Sequence, residues 1–342
     1  VSFSYASVIE TKALNPRMVR ITLQVEDPAS LDVQQAADSA VAVFMPGTDE
    51  GRNYSVRRQR GDLLDLDVVL HARGVGTDWA ARTRPGDRVG LDHARSWYRP
   101  DPAAQWQLLI TDLSGLPATA RILEEVSPEV PVTVIAEVAE AQDLDYLPAH
   151  PQARLVTSIG TGNGNAPSEL ATLVRELALP RDRGYCWFAG EAAESRAVRK
   201  YLRGLGYQNE QLDITGYWRF DSETWDAAFA LVESDVLAVY ERALAEGKGD
   251  KVAFEEFDEA CERIGLVITQ APLAPPRAAR NHRAVGLAVA TVVLVAMCIA
   301  SLAIGTQNVS LSTVWQAVTD YRDIGDQWIV HDLRILSRPA GM

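Results

Sequence analysis

Between residues 105 and 220 two kinds of segment alternate, and this restricts the fold more than any other feature of the chain. WQLLITD, VPVTVIAEV, ARLVTSI and YCWFAGE are apolar runs of strand length. LPATARILEEV, PSELATLVRELAL and ESRAVRKYLRGL, which lie among them, space their apolar residues by three and four. A strand that is apolar on both faces has to be covered on both, and a helix with one apolar stripe supplies the cover. The pattern predicts a parallel sheet in an α/β domain. Such sheets bind ligands beyond the carboxyl ends of their strands.

Residues 1–100 follow a different rule. MVRITLQV (18–25) and LLDLDVVL (63–70) alternate, or nearly so, as half-buried strands do. VAVFMP (41–46), NYSVRRQ (53–59) and RVGLDH (88–93) are further strand candidates, with PGTDEG, RGD and RPGD as turns between them. Short strands at this spacing predict a small antiparallel barrel. Residues 221–266 read as acidic and mostly helical, with Trp225, Phe229 and Val232 on one face, and 267–283 as a Pro/Ala/Arg linker. GKGDKVAFEEF lacks the ligand run of a calcium loop and reads as helix packing, with no metal. Residues 284–304, AVGLAVATVVLVAMCIASLAI, carry no charge and no proline over 21 positions, the length of one transmembrane helix. Arg277, Arg280 and Arg283 just before this run place its N-terminal side in the cytoplasm. The first 23 residues hold no apolar run, so no secretory signal is expected there.

The 33 Lys and Arg are outnumbered by 46 Asp and Glu, a formal charge of −13, which argues against nucleic acid as a partner. Cys186, Cys261 and Cys298 are far apart and form no metal-ligand pair. Three short stretches carry the chemistry. Arg52-Asn53-Tyr54-Ser55 on a strand offers a cation, an aromatic ring and a hydroxyl, as a flavin dinucleotide requires; it equally suits an ordinary barrel strand. His71 to Ala80 follows a strand and enters a helix, with Gly74 and Gly76 permitting close backbone approach and Thr77 able to cap; a plain glycine turn fits as well. Ser158 to Gly164 is a glycine-rich strand-to-helix turn, either a phosphate cradle or a simple connection. Glu191 is placed to cap the helix after YCWFAGE, and Cys186 reads as core.

Taken in order, RNYS (52–55), LDVVLH (66–71), GVGTDWA (74–80), RPGDRVGL (84–91), QWQLLITDLSGLPATARILEE (105–125), WFAGEAAESRAVRKYLR (187–203) and GYWR (216–219) resemble the siderophore-interacting protein family of FAD-dependent ferric-siderophore reductases. The resemblance implies a flavin-binding barrel at 1–103, an α/β NAD(P)H-binding-like domain at 104–220 and a helical extension at 221–266. It implies FAD bound by Arg52, Tyr54, Ser55, His71, Gly74, Gly76 and Thr77, with NAD(P)H or a protein as electron donor. The substrate it implies is a ferric siderophore gripped by Arg121 and Arg219. Two departures stand near the expected cleft: Leu113 and Gly115 where the family more often has an acidic residue and alanine, and Asp92-His93 in place of its glycine–proline. Residues 284–342 resemble the start of an iron-siderophore permease, which implies transporter subunits as partners. A single span encloses no transport path, so the expectation is a reductase tethered by one helix to the inner membrane, with 305–342 as a permease-like tail. A non-catalytic siderophore-binding or docking module and a reductase of free flavin are the alternatives.

Overall fold

The computed structural model describes residues 4–33, 35–48, 51–71, 74–93, 96–220, 228–229 and 231–263. The chain divides into two compact units, Val1–Leu273 and Ala274–Met342, and every described residue belongs to the first. The apolar run at 284–304 and the tail at 305–342 lie outside the described residues. Among the described residues no helix is long and apolar enough to cross a membrane.

Six strands close into an antiparallel barrel: β1 (Ser4–Asn15), β2 (Met18–Val25), β3 (Ala40–Phe44), β4 (Gly51–Arg60), β5 (Leu63–Val69) and β6 (Arg88–His93), in the order β1-β2-β5-β4-β3-β6. Every second residue points inward, so Ile21, Leu23, Val25, Leu64, Leu66 and Val68 fill one core. Closure leaves no open sheet edge. The acids of LLDLDVV face out of that core and still lie buried, because each has a partner. Thr22 donates to Asp65 (2.8 Å), and Arg20 binds Asp67 through both Nε and Nη2 (2.7 Å each). Strand β1 is absent from the expectations. Its register slips between Val8 and Glu10 and again between Ala13 and Asn15, which breaks the alternation a reader looks for. Two short helices, α1 (Pro28–Leu31) and α2 (Val75–Arg82), interrupt the strand order.

The second domain is a parallel sheet of β7 (Trp106–Thr111), β8 (Val132–Val138), β9 (Ala153–Ile159), β10 (Gly184–Glu191) and β11 (Leu212–Trp218), ordered β11-β10-β7-β8-β9. Helices α3 (Leu116–Glu125), α4 (Leu170–Glu176) and α5 (Ala192–Gly204) cover it. β10 shows why its sequence is apolar throughout: Cys186 and Phe188 enter one core, and Tyr185, Trp187 and Ala189 enter the core on the opposite face. β9 departs from the expectation of a doubly covered strand. It is an edge, and Leu155 and Ile159 stay about half exposed, at 47% and 50%. The strand order reverses between β7 and β10, which opens a crevice at their carboxyl ends.

Barrel and sheet meet across polar and apolar contacts. Met18 and Val69 of the barrel pack with Leu113, Leu116 and Val138. Arg57 of β4 binds Glu124 of α3 through both terminal nitrogens, at 2.7 and 2.6 Å. The acidity of the C-terminal extension has a local reason. Its helix Asp250–Arg263 lies on α5, setting Asp258 against Arg196 and Arg199 and Glu255 against Arg203. Phe229 and Val232 pack with Phe257 and Ala260 as the helical pattern predicts, whereas Trp225 lies outside the described residues.

Candidate functional site

β4 pairs with β3 from Gly51 to Ser55 and with β5 only from Val56 onward. The stretch Arg52–Ser55 therefore lies where β4 has parted from β5, and α2 enters beside it. A Cβ on Gly76 would collide with the Tyr54 hydroxyl, so only glycine lets the helix start approach this ring. Trp79, one turn later, sits 6.2 Å from the Tyr54 ring, and both pack on the barrel core. Burial pushes the Tyr54 phenol up to about 12, against the opposing pull of Arg52, so it stays protonated. Arg52 is exposed, whereas Ser55 is buried.

Two buried polar atoms here are unsatisfied: Ser55 Oγ and Trp79 Nε1 have no hydrogen-bond partner among the described residues. A buried hydroxyl or indole N–H left in that state costs about 1–3 kcal/mol unless something else meets it. The start of α2 is open as well. Its N-cap is Gly74, at φ +136°, and among the described residues no side chain caps the first turn. Thr77 does not cap it as expected; its hydroxyl accepts from the His71 N–H at 3.0 Å and so fastens the loop to the helix. His71 is exposed. An uncapped helix start and unmet donors beside an aromatic ring fit a ligand with phosphate and polar ring edges. The residues present therefore fit FAD.

The crevice at the sheet's switch point is built differently, because the protein's own carboxylates fill it. Asp112, at the end of β7, accepts from Ser114 N–H (2.8 Å) and Trp218 Nε1 (2.6 Å). Glu191, at the end of β10, accepts from the N–H groups of Ala193 and Glu194, the helix cap that the sequence suggests. Glu137 accepts from Thr161 Oγ1 (2.8 Å) and Glu169 N–H (2.7 Å), and Glu194 accepts from Ala171 N–H (2.8 Å). Burial pushes the Asp112, Glu137 and Glu194 carboxyls above their ordinary range. The Ser158–Gly164 loop is thus pinned to a carboxylate, and Asn163 closes it by accepting from Leu113 N–H at 2.9 Å. Of the two readings open for this loop, the contacts are those of a structural connection. Gly115 is explained too, since a Cβ there would strike Thr111 Oγ1 and the Ala189 carbonyl. Burial pushes the Cys186 thiol up to about 12, as suits a core residue.

Both arginines expected at substrate are engaged inside the protein. Arg121 is buried, with 8% of its surface exposed, and spans the two domains. Its Nη1 donates to Ser39 Oγ (2.8 Å) and the Val56 carbonyl (3.0 Å), and its Nε donates to Glu125 (2.6 Å). Arg219 reaches Asp258 at 3.4 Å, within the group of charges under the C-terminal helix. The motif positions suggest a cleft mouth; the fold turns α3 toward β4 and lays an acidic helix over β11. What the sequence reading missed is a cleft between the barrel and the 3-10 turn Ala141–Tyr146, lined by Arg20, Arg57 and Tyr146. These residues are scattered through the chain, and no spacing joins them.

Residues 104–221 match the family described as Siderophore-interacting protein, and residues 49–95 match the Siderophore-interacting FAD-binding domain. The ferric vibriobactin reductase ViuB of Vibrio cholerae is 26% identical over 241 residues, covering 62% of this chain and 87% of that protein. The NADPH-dependent ferric-chelate reductase of Escherichia coli is 26% identical over 159 residues, 45% of this chain and 60% of that one. The mycobactin import ATP-binding/permease protein IrtA of Mycolicibacterium thermoresistibile is 26% identical over 230 residues, 62% of this chain but 24% of its own length. A siderophore utilization protein from T. fusca superposes with a TM-score of 0.56 at 29% identity, over 64% of this chain and 92% of that one.

Proposed function

Because this chain belongs to the siderophore-interacting protein family, we propose that it reduces the iron of ferric siderophores and so releases it as Fe(II). The chain is an oxidoreductase that uses FAD with a nicotinamide dinucleotide as donor. FAD held here would supply the link between a two-electron hydride donor and a one-electron metal. Ferric iron is held by hard oxygen donors, and reduction to the softer Fe(II) weakens that hold. The protein's part is to bind and orient. In this reading Arg52 would hold the pyrophosphate, Tyr54 and Ser55 Oγ the flavin ring and its polar edge, and the open start of α2 with Gly74, Gly76 and Thr77 a phosphate. His71 orders the loop through its backbone bond to Thr77. The observation that carries the assignment is the buried Ser55 Oγ, which has no partner among the described residues, beside a ring that the helix approaches at Gly76.

The same reading places the reductase at the cytoplasmic face of the inner membrane, tethered through residues 284–304. The apolar run and the three arginines before it support this. Transporter subunits are the proposed partners, since IrtA, named as an import ATP-binding/permease protein, resembles 62% of this chain within a much longer one. The direct test of the cofactor is purification: the chain should come out yellow with stoichiometric FAD that stays bound through turnover. A colourless protein, or flavin that leaves on each cycle, would favour the docking module or the free-flavin reductase.

A further inference from the structure

β11 pairs with β10 at Gly216–Gly190 and then at Trp218–Glu191, so Tyr217 is an extra residue in β11. A bulge of this kind re-aims the side chains around it. Tyr217 packs edge-on against Trp187 on one face of the sheet, whereas Trp218 turns across the strand ends. Its Nε1 donates to Asp112 Oδ2 at 2.6 Å. Asp112 follows β7, and β10 stands between β7 and β11, so the indole passes over the end of β10. Glycine stands at that crossing: a Cβ on Gly190 would lie 3.0 Å from Asp112 Oδ2. The far edge of the ring faces the loop after β9, where a Cβ on Gly164 would lie 3.9 Å from Trp218 Cη2.

The bond is well supported. Asp112 is buried, and its other oxygen, Oδ1, accepts from the N–H and the hydroxyl of Ser114. Two residues beyond Trp218, the Phe220 N–H is held by Glu191 at 3.3 Å. The backbone is therefore fixed on both sides of Trp218, and the half-buried indole has its own side-chain bonds to turn about.

These contacts lay an indole across the crevice where the strand order reverses between β7 and β10. Open α/β sheets bind their ligands there, outside the carboxyl ends of the strands. A donor nucleotide and Trp218 thus compete for one place. They also share chemistry: nicotinamide is a flat ring with N–H donors on its carboxamide, and Asp112 offers an acceptor to either. We infer that Trp218 closes the donor crevice in this structure, that the nicotinamide ring enters by displacing the indole, and that Asp112 is the positioning residue that latches it. The inference rests on the reading of a nicotinamide dinucleotide as electron donor and names the residue that limits its entry. A hydrogen bond to a carboxylate shifts an equilibrium by about ten-fold or more, and a ligand that binds only the open form loses affinity in proportion to the fraction that is open.

The test is anaerobic mixing of the full-length FAD-loaded protein with NADH or NADPH, following the bleaching of flavin. Trp218→Ala should lower the half-saturating donor concentration about ten-fold and leave the limiting rate within about two-fold of the parent. Trp218→Phe keeps a ring but has no N–H, and should lower that concentration about three-fold. A merely structural role would not sharpen donor affinity. Circular dichroism checks that each variant is folded; if the alanine variant is not, Trp218→Phe decides by the same measure. A half-saturating concentration that both folded variants leave unchanged would overturn the inference, and a raised one would too, making Trp218 a contact of the bound donor. In both cases the donor reading stands. Flavin that neither nucleotide bleaches, in the parent or the variants, would overturn the inference together with the donor reading. Chemically reduced flavin mixed with a ferric siderophore tests the reductase reading separately.

Discussion

Replacing Arg121 by methionine separates a tie between domains from a substrate contact. Arg121 is 8% exposed and donates to Ser39 Oγ and the Val56 carbonyl, both on the barrel side. Methionine fills similar space but leaves a carbonyl and a hydroxyl without their donor. Each such loss costs about 1–3 kcal/mol. The bond to Glu125 adds only a few tenths, because Glu125 is 46% exposed and the pair is i,i+4 on a helix. The total is about 2–6 kcal/mol. At about 2–4 °C per kcal/mol for a unit of this size, the melting temperature should fall by roughly 4–24 °C. Thermal unfolding followed by circular dichroism reads that fall, and steady-state reduction of a ferric siderophore at 20 °C reads the substrate contact. The expected outcome is a lowered melting temperature with KM for the chelate within two-fold of the parent. An unchanged melting temperature with a KM raised about ten-fold would mean that the side chain reaches substrate and that the buried contacts are not those of the working protein.

Ser55→Ala removes an unsatisfied buried hydroxyl, so the FAD-free protein should be as stable as the parent or slightly more so, while FAD affinity falls about three- to ten-fold, the worth of one hydrogen bond; equal affinity by flavin titration would remove Ser55 from the site. Arg52→Ala should lower FAD affinity about ten-fold or more through loss of a charge-assisted phosphate contact, and a variant that purifies with full flavin would refute that role. The raised carboxyl of Glu194 makes the folded state hold more protons than the unfolded one at pH values just above the ordinary carboxylate range, so this group's contribution to stability declines as pH rises through that window. Glu194→Gln should therefore flatten the fall in melting temperature as pH rises above the ordinary carboxylate range. An unchanged pH slope would show that Glu194 does not titrate differently on folding.

The elements that could be read from the sequence are those in which one local rule governs. β10 enters two cores at alternate residues, so its composition alone gives a covered strand. β2 and β5 alternate because one face meets the barrel core. β1 was hidden by two register slips, and β9 carries the residues of a buried strand while standing at an edge. Within the site, Tyr54 and Gly76 both stand in motifs that the sequence singles out, but they are 22 positions apart, and only the fold sets one against the other. The two arginines mark a further limit. Arg121 and Arg219 sit in motifs, but a motif does not say which way its helix turns, and both side chains end on partners supplied by distant parts of the chain. The cleft at Arg20, Arg57 and Tyr146 joins three segments that no spacing rule connects.

In the proposed reaction electrons pass from flavin held at Tyr54, Ser55 and α2 to the iron of a siderophore. The most direct measurement is anaerobic: reduce the bound flavin of the purified protein, mix it with a ferric siderophore, and follow flavin absorbance together with Fe(II) captured by a ferrous chelator. The flavin should reoxidise as Fe(II) appears, with two Fe(II) formed per flavin by electron balance. Flavin that stays reduced in the presence of excess ferric siderophore would contradict it.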